Sequence, residues 1–131
     1  SYVVRDGSDL SIVTWGSGVS DALDAAGELA ADGIDAEVID VATLRPLDMG
    51  TILASVAKTG RCAIVHEAPR SAGFGAEIAA RLADEGLMSL LAPVRRVTGY
   101  DTIMPLLRLE DHYLPDAARV VAECRSLMAF R

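Results

Sequence analysis

The chain has no asparagine and no glutamine, so no side-chain amide oxygen is on hand to ligate a metal ion. Cysteine is scarce as well. Its two thiols, Cys62 and Cys124, fall in a strand-like and a helix-like segment. That placement predicts buried, reduced residues of an intracellular, cytoplasmic protein and not a disulfide framework. No apolar run approaches the roughly 20 residues of a membrane span. No charged-then-apolar leader precedes the first strand-like segment, so nothing indicates membrane insertion, secretion or organelle import. The chain opens at Ser1 without an initiator methionine, which suggests a processed or excised piece of something longer. Basic residues are the minority, 12 against 19 acidic ones, for a net charge of -7. With no basic stripe to hold a phosphate backbone, nucleic-acid binding is excluded. The acidity serves solubility or steers a basic protein partner. Metal-finger spacing is missing too, since His66 and His112 lie far apart and neither Cys stands near a His at finger-like spacing. Walker spacing is absent, and the glycines around Ser17 sit one step away from a nucleophile elbow.

What the sequence does have is apolar residues, 51% over 131 positions, enough for one core and too short a chain for two independent domains. Residues 10–15 read as a strand that stops at Gly16-Ser17-Gly18, after which Val19, Leu23, Ala26 and Ala30 recur with helical spacing up to Gly33. Residues 36–41 supply the next strand, ended by a turn at Arg45-Pro46. Asp48 can cap a helix with Ile52, Leu53, Val56 and Ala57 inside, Lys58 near its negative end and Gly60 beyond. A strand over 62–66 and a helix from Gly75, with Ile78, Ala79, Leu82 and Ala83 on one side, follow. Residues 94–98 read as a strand, 99–114 as a long loop, and Pro115-Asp116 opens a last helix with the stripe Val120, Val121, Cys124, Leu127 and Met128. Residues 2–5 add a short edge strand. The alternation predicts a three-layer α/β/α fold with a mostly parallel sheet of about five strands, as one domain over 1–131.

Ligands of such sheets meet the loops at the carboxyl ends of the strands, here 16–20, 42–47 and 67–74. Gly16-Ser17-Gly18 with Ser20 is one candidate, because glycines let backbone amides approach an anion, although a third glycine is missing where Asp21 stands. A tight turn is the simpler reading. The densest polar cluster is His66, Glu67 and Arg70, running into Gly73-Phe74-Gly75. His66 could move a proton or bind a carboxylate beside Arg70, or Glu67 and Arg70 could pair across a subunit interface. Glu110-Asp111-His112-Tyr113 reads as a solvated loop or a partner contact.

Taken in order, several segments resemble the transketolase carboxy-terminal domain family, specifically the last domain of the beta subunit of 2-oxo acid dehydrogenases. The likeness is carried by Ile12-Val13-Thr14-Trp15-Gly16, by Glu37-Val38-Ile39-Asp40 with Thr43-Leu44-Arg45-Pro46-Leu47-Asp48, and above all by Val65-His66-Glu67-Ala68-Pro69-Arg70 with Gly73-Phe74-Gly75. Arg96-Val97-Thr98-Gly99-Tyr100-Asp101-Thr102 and Tyr113-Leu114-Pro115-Asp116 complete it. The resemblance implies a whole enzyme that uses thiamine diphosphate and Mg to decarboxylate a 2-oxo acid and acylate a lipoyl group. Residues 99–102 lean toward the branched-chain type, with pyruvate and acetoin dehydrogenases as alternatives.

The same resemblance implies that this piece is inactive alone. The metal-diphosphate grip would lie in an alpha subunit and the activating glutamate in the preceding beta domain. No catalytic residue set is then complete here, and His66, Glu67 and Arg70 remain candidates for the site rim or an interface. Implied partners are the rest of the beta subunit, the alpha subunit in an alpha-two beta-two tetramer, and a lipoyl acyltransferase within a multienzyme complex. Phe74, Leu91, Arg95 and Phe130 are the partner-interface candidates. Leu91 stands where relatives often carry an acid, which argues against a carboxylate-anchored docking mode. Two other classes remain open: a free-standing anion- or nucleotide-binding module at 16–20, and a small enzyme using His66.

Overall fold

Residues 1–130 are described by a computed structural model; Arg131, the last residue of the expected domain, lies outside them. Five strands form one sheet in the order β1-β3-β2-β4-β5. The strands are β1 (Tyr2–Arg5), β2 (Leu10–Thr14), β3 (Ala36–Asp40), β4 (Cys62–Pro69) and β5 (Arg95–Gly99). Only β1 runs antiparallel, along the outer edge of β3; the other pairings are parallel. Among the described residues there are five α-helices, α1 (Gly18–Ala31), α2 (Met49–Thr59), α3 (Phe74–Glu85), α4 (Glu110–Tyr113) and α5 (Ala117–Met128), and a short 3-10 turn over Leu87–Ser89.

The inner strands carry apolar residues on both sides because each side is covered. Leu10, Ile12, Ala63 and Val65 pack with α1 and α5, while Val13, Cys62 and Ile64 pack with α2 and α3. This is the expected α/β/α arrangement. Both cysteines are free and buried, one in each of these two cores, and burial pushes each thiol up to about 12.

Four expectations need correction. In α1 the buried stripe is Gly18, Ala22, Ala25, Ala26 and Leu29. Leu23 and Ala30 face outward, because the small residues let the helix approach the sheet and α5 closely. In α2 and α3 the narrower buried face leaves Ala57 and Ala83 exposed. Strand β4 runs three residues further than predicted, past a register break between Val65 and Pro69 that carries Pro69 opposite Gly99. The 99–114 segment is not wholly loop: α4 forms within it and buries Tyr113 edge-on to Tyr100, with ring centroids 6.3 Å apart.

The chain leaves β2 for β3 on one side and later returns to place β4 on the other. The carboxyl ends of β2 and β4 therefore flank a topological switch point, where the loops diverge and leave a crevice.

Candidate functional site

The crevice at the switch point is lined by Trp15, Gly16, Ser17, His66, Glu67 and Ala68 and encloses about 200 Å³. His66, only 2% exposed, lies flat against Trp15 with centroids 5.4 Å apart and planes 15° from parallel. Phe74 meets Trp15 edge-on at 6.0 Å. On the other side the imidazole rests on glycine backbone. A Cβ at Gly73 would stand 2.7 Å from His66 Cε1, and one at Gly75 would stand 2.5 Å from Cδ2 and Nε2. The Gly-Phe-Gly triplet is thus a seat for this ring, a relation that spacing alone does not reveal.

Neither ring nitrogen of His66 has a hydrogen-bond partner among the described residues. Burial lowers its pKa below the ordinary value, and the Arg96 charge lowers it further; the Ala68 backbone, short of hydrogen-bond geometry, opposes this weakly. The ring is therefore neutral near pH 7. Among the described residues no carboxylate orients it and no hydroxyl bonds to it, so they do not assemble the nucleophile-and-base pair that a His66 enzyme needs.

The polar cluster read from the sequence is divided. Glu67 is exposed and accepts a hydrogen bond from the Ser17 hydroxyl. Arg70 does not pair with it. Its Nη1 donates to the Arg96 carbonyl at 3.1 Å, while Arg96 Nη1 donates to the Arg70 carbonyl at 2.8 Å.

Residues 16–20 are a poor anion site. Glu67 already presents its carboxylate to the turn, and the Asp21 carboxyl is pushed up by burial and by Asp24, Asp116 and Glu67. That negative surrounding repels a phosphate. Gly18 serves packing, since a Cβ there would sit 2.4 Å from Thr14 Oγ1.

The interface candidates fall at opposite ends of the sheet. Half-buried Phe74 is at the carboxyl end with His66. Leu91 lies over Gly60 at the amino end, where β5 also begins with Arg95, whose Nε is buried without a partner among the described residues. Phe130, partly exposed, follows α5 toward that same end, where Arg125 bonds Asp32 of the α1 terminus at 2.8 Å. The sequence reading missed a buried polar group beneath β1: Glu37, which takes hydrogen bonds from Lys58 and the Gly7 amide. Burial alone would raise its pKa, but its bonds to Lys58, Ser55 and Gly7 together lower it. Beside it, Ser11 is hydrogen-bonded to Ser55 at 2.6 Å and to Thr59 at 2.7 Å.

Residues 1–120 match the family described as the transketolase C-terminal domain. The chain belongs to that family. It is similar to the pyruvate dehydrogenase E1 component subunit beta of Bacillus subtilis, 46% identical over 98% of this chain and 39% of that protein. The Staphylococcus epidermidis and Staphylococcus aureus subunits of the same name are 41% and 42% identical over the same shares. The chain thus spans about two fifths of the length of these relatives. Among solved structures, a split-gene transketolase in an inactive beta4 tetramer superposes with a TM-score of 0.86 at 31% identity, over 98% of this chain and 41% of that one. A 2-oxoglutarate:ferredoxin oxidoreductase from Magnetococcus marinus, at TM-score 0.63 and 17% identity over 95% of this chain and 18% of that one, shares the fold. The relatives are named for pyruvate, so the lean toward a branched-chain substrate has no support in them.

The switch-point crevice is a poor fit for thiamine diphosphate with magnesium. Among the described residues no three His, Cys, Asp or Glu side chains gather to hold a metal ion. The crevice is below the roughly 300 Å³ at which small-molecule pockets begin, and the Glu67 carboxylate on its wall opposes a diphosphate. No helix among the described residues is long and apolar enough to cross a membrane.

Proposed function

We propose that this chain is the C-terminal assembly domain of a beta subunit in a thiamine-diphosphate-dependent 2-oxo acid dehydrogenase of the pyruvate type, located in the cytoplasm. The observation that carries the reading is the pairing of two shares: 98% of this chain matches, yet only 39% of the relative is accounted for. The cofactor and its magnesium would then be gripped by an alpha subunit and by the preceding beta domain. This domain's part would be to hold those pieces in register.

Its surface suits that role. Ile103, Leu106 and Leu107 are 92%, 89% and 86% exposed on the loop after β5, more apolar area than an isolated surface loop normally shows to water. In this reading His66, Glu67 and Phe74 form a rim facing the preceding domain, and the unpaired His66 nitrogens find partners there. Leu91, Arg95 and Phe130 form a second contact surface at the other end of the sheet, available to the alpha subunit or to a lipoyl acyltransferase component. Free thiols in separate cores agree with a reducing compartment.

The test is reconstitution. The 131-residue chain alone should neither bind thiamine diphosphate nor turn over pyruvate. A beta subunit containing it, assembled with its alpha partner, should decarboxylate pyruvate faster than branched-chain 2-oxo acids. Turnover by the isolated chain would sink the proposal, and preference for a branched-chain acid would sink its substrate half.

A further inference from the structure

A second cleft, of about 350 Å³, lies between the ends of β4 and β5 and the α5 helix. Arg70, Arg96 and Arg119 all line it. In a chain of net charge -7 such a concentration of guanidinium groups is unexpected. None of the three has a carboxylate within 4.0 Å among the described residues, whereas Arg5, Lys58, Arg81 and Arg125 all do. The two carboxylates on the cleft wall are Asp101 and Glu123. Asp101 accepts the Ser71 amide and hydroxyl, each at 2.7 Å; these bonds, and more weakly the nearby Arg70 backbone and charge, lower its pKa.

The arginines are held in place by backbone carbonyls. Arg70 and Arg96 donate to each other's carbonyl oxygens at 3.1 and 2.8 Å. Arg119 donates to Thr98 O at 2.7 Å and to Tyr113 O at 3.4 Å, and its guanidinium lies 4.9 Å from the centre of the Tyr100 ring. Each guanidinium carries five N–H donors, and these bonds engage one or two of them. The remainder are fixed in direction yet lack an acceptor among the described residues. Planar, pre-oriented guanidinium forks match the oxygen spacing of carboxylates and phosphates, and their positions cost the ligand no ordering of the site. Val97, Ala122 and the Tyr100 ring give the cleft an apolar wall beside these donors.

We propose that this cleft binds a small oxyanion, a carboxylate or a phosphate monoester with a short apolar part, through Arg70, Arg96 and Arg119. The site is separate from the His66 crevice and does not depend on the assembly role.

The test uses the full-length polypeptide that carries this chain, in the assembly in which it purifies. Calorimetric titrations with inorganic phosphate and with acetate, at constant ionic strength against chloride, are expected to give saturable binding of at least one of them at millimolar concentrations. Phosphate alone would indicate a phosphate ester, acetate alone a carboxylate-bearing ligand, and both a site that accepts either oxyanion. Arg70→Gln removes an exposed donor and a single carbonyl bond, and should weaken binding about tenfold with the unfolding temperature unchanged. Arg119→Lys, which keeps the charge but not the fork, should weaken it as well. Saturable binding of neither anion would overturn the proposal. So would equal affinity in both variants, or binding that appears only after the chain is dissociated from its partners, since the cleft would then be filled by a partner's acidic group.

Discussion

Gly75 shows how one residue constrains another across the fold. Its missing side chain is occupied by the His66 ring, so Gly75→Ala forces overlap at 2.5 Å with a buried imidazole that is itself wedged against Trp15. The expected loss is about 1–3 kcal/mol, read from the urea midpoint. Gly27, exposed within α1 with nothing near its missing Cβ, makes the opposite case. Gly27→Ala should stabilise by about 0.5–1 kcal/mol. His66 also governs a pH response. Its folded-state pKa is lowered, by burial first and by Arg96 second, so between that value and about 6.5 the unfolded chain binds a proton that the folded chain does not. Stability should therefore rise with pH through this window and fall as the solution is acidified below 6.5. Urea midpoints measured from pH 5 to 7 should lose that slope in His66→Phe; an unchanged slope would place the titration elsewhere. Asp48 acts at lower pH. Its bonds to Thr51 hold its carboxyl at about 2, so its contribution disappears only as pH falls from 3.8 toward that value.

At the scale of elements, α5 was readable and α1 was not read in the right phase. Asp116 accepts from the Arg119 amide at 2.8 Å, and Val120, Val121, Cys124 and Leu127 are buried as their spacing implies, with Met128 only partly so. Asp116→Ala should cost about 1 kcal/mol, seen as a lower unfolding temperature. An unaffected temperature would mean that water replaces the cap. In α1 the alanines make two stripes equally apolar, and Leu23 draws a sequence reading to the outward one. Only packing against the sheet and α5 shows that the smaller residues lie inside. Ser17 illustrates the same limit: it occupies the α1 cap position, yet its hydroxyl goes to Glu67 and makes no cap bond. The extension of β4 to Pro69 was hidden by its proline and by a register break that depends on β5.

For the molecule as a whole, the exposed apolar loop after β5 makes a prediction about association. The 131-residue chain should self-associate in a concentration-dependent way in sedimentation experiments. Replacing Ile103, Leu106 and Leu107 together by serine should abolish this without lowering the unfolding temperature, because these side chains face solvent. Persistent association in that variant would move the sticky surface to Met88 and Leu91 at the other end of the sheet. The sequence by itself determined the alternation of strands and helices, the two-sided burial of the inner strands and the ordered motifs that carry the family resemblance, because periodicity, caps and turn residues are local properties. Only the tertiary structure decided that His66 and Arg70, four positions apart, serve different clefts, that two glycines hold an imidazole, and that three arginines from separate elements share one wall. Those relations come from strand order and helix placement, and they bring together residues whose separation along the chain carries no trace of their contact.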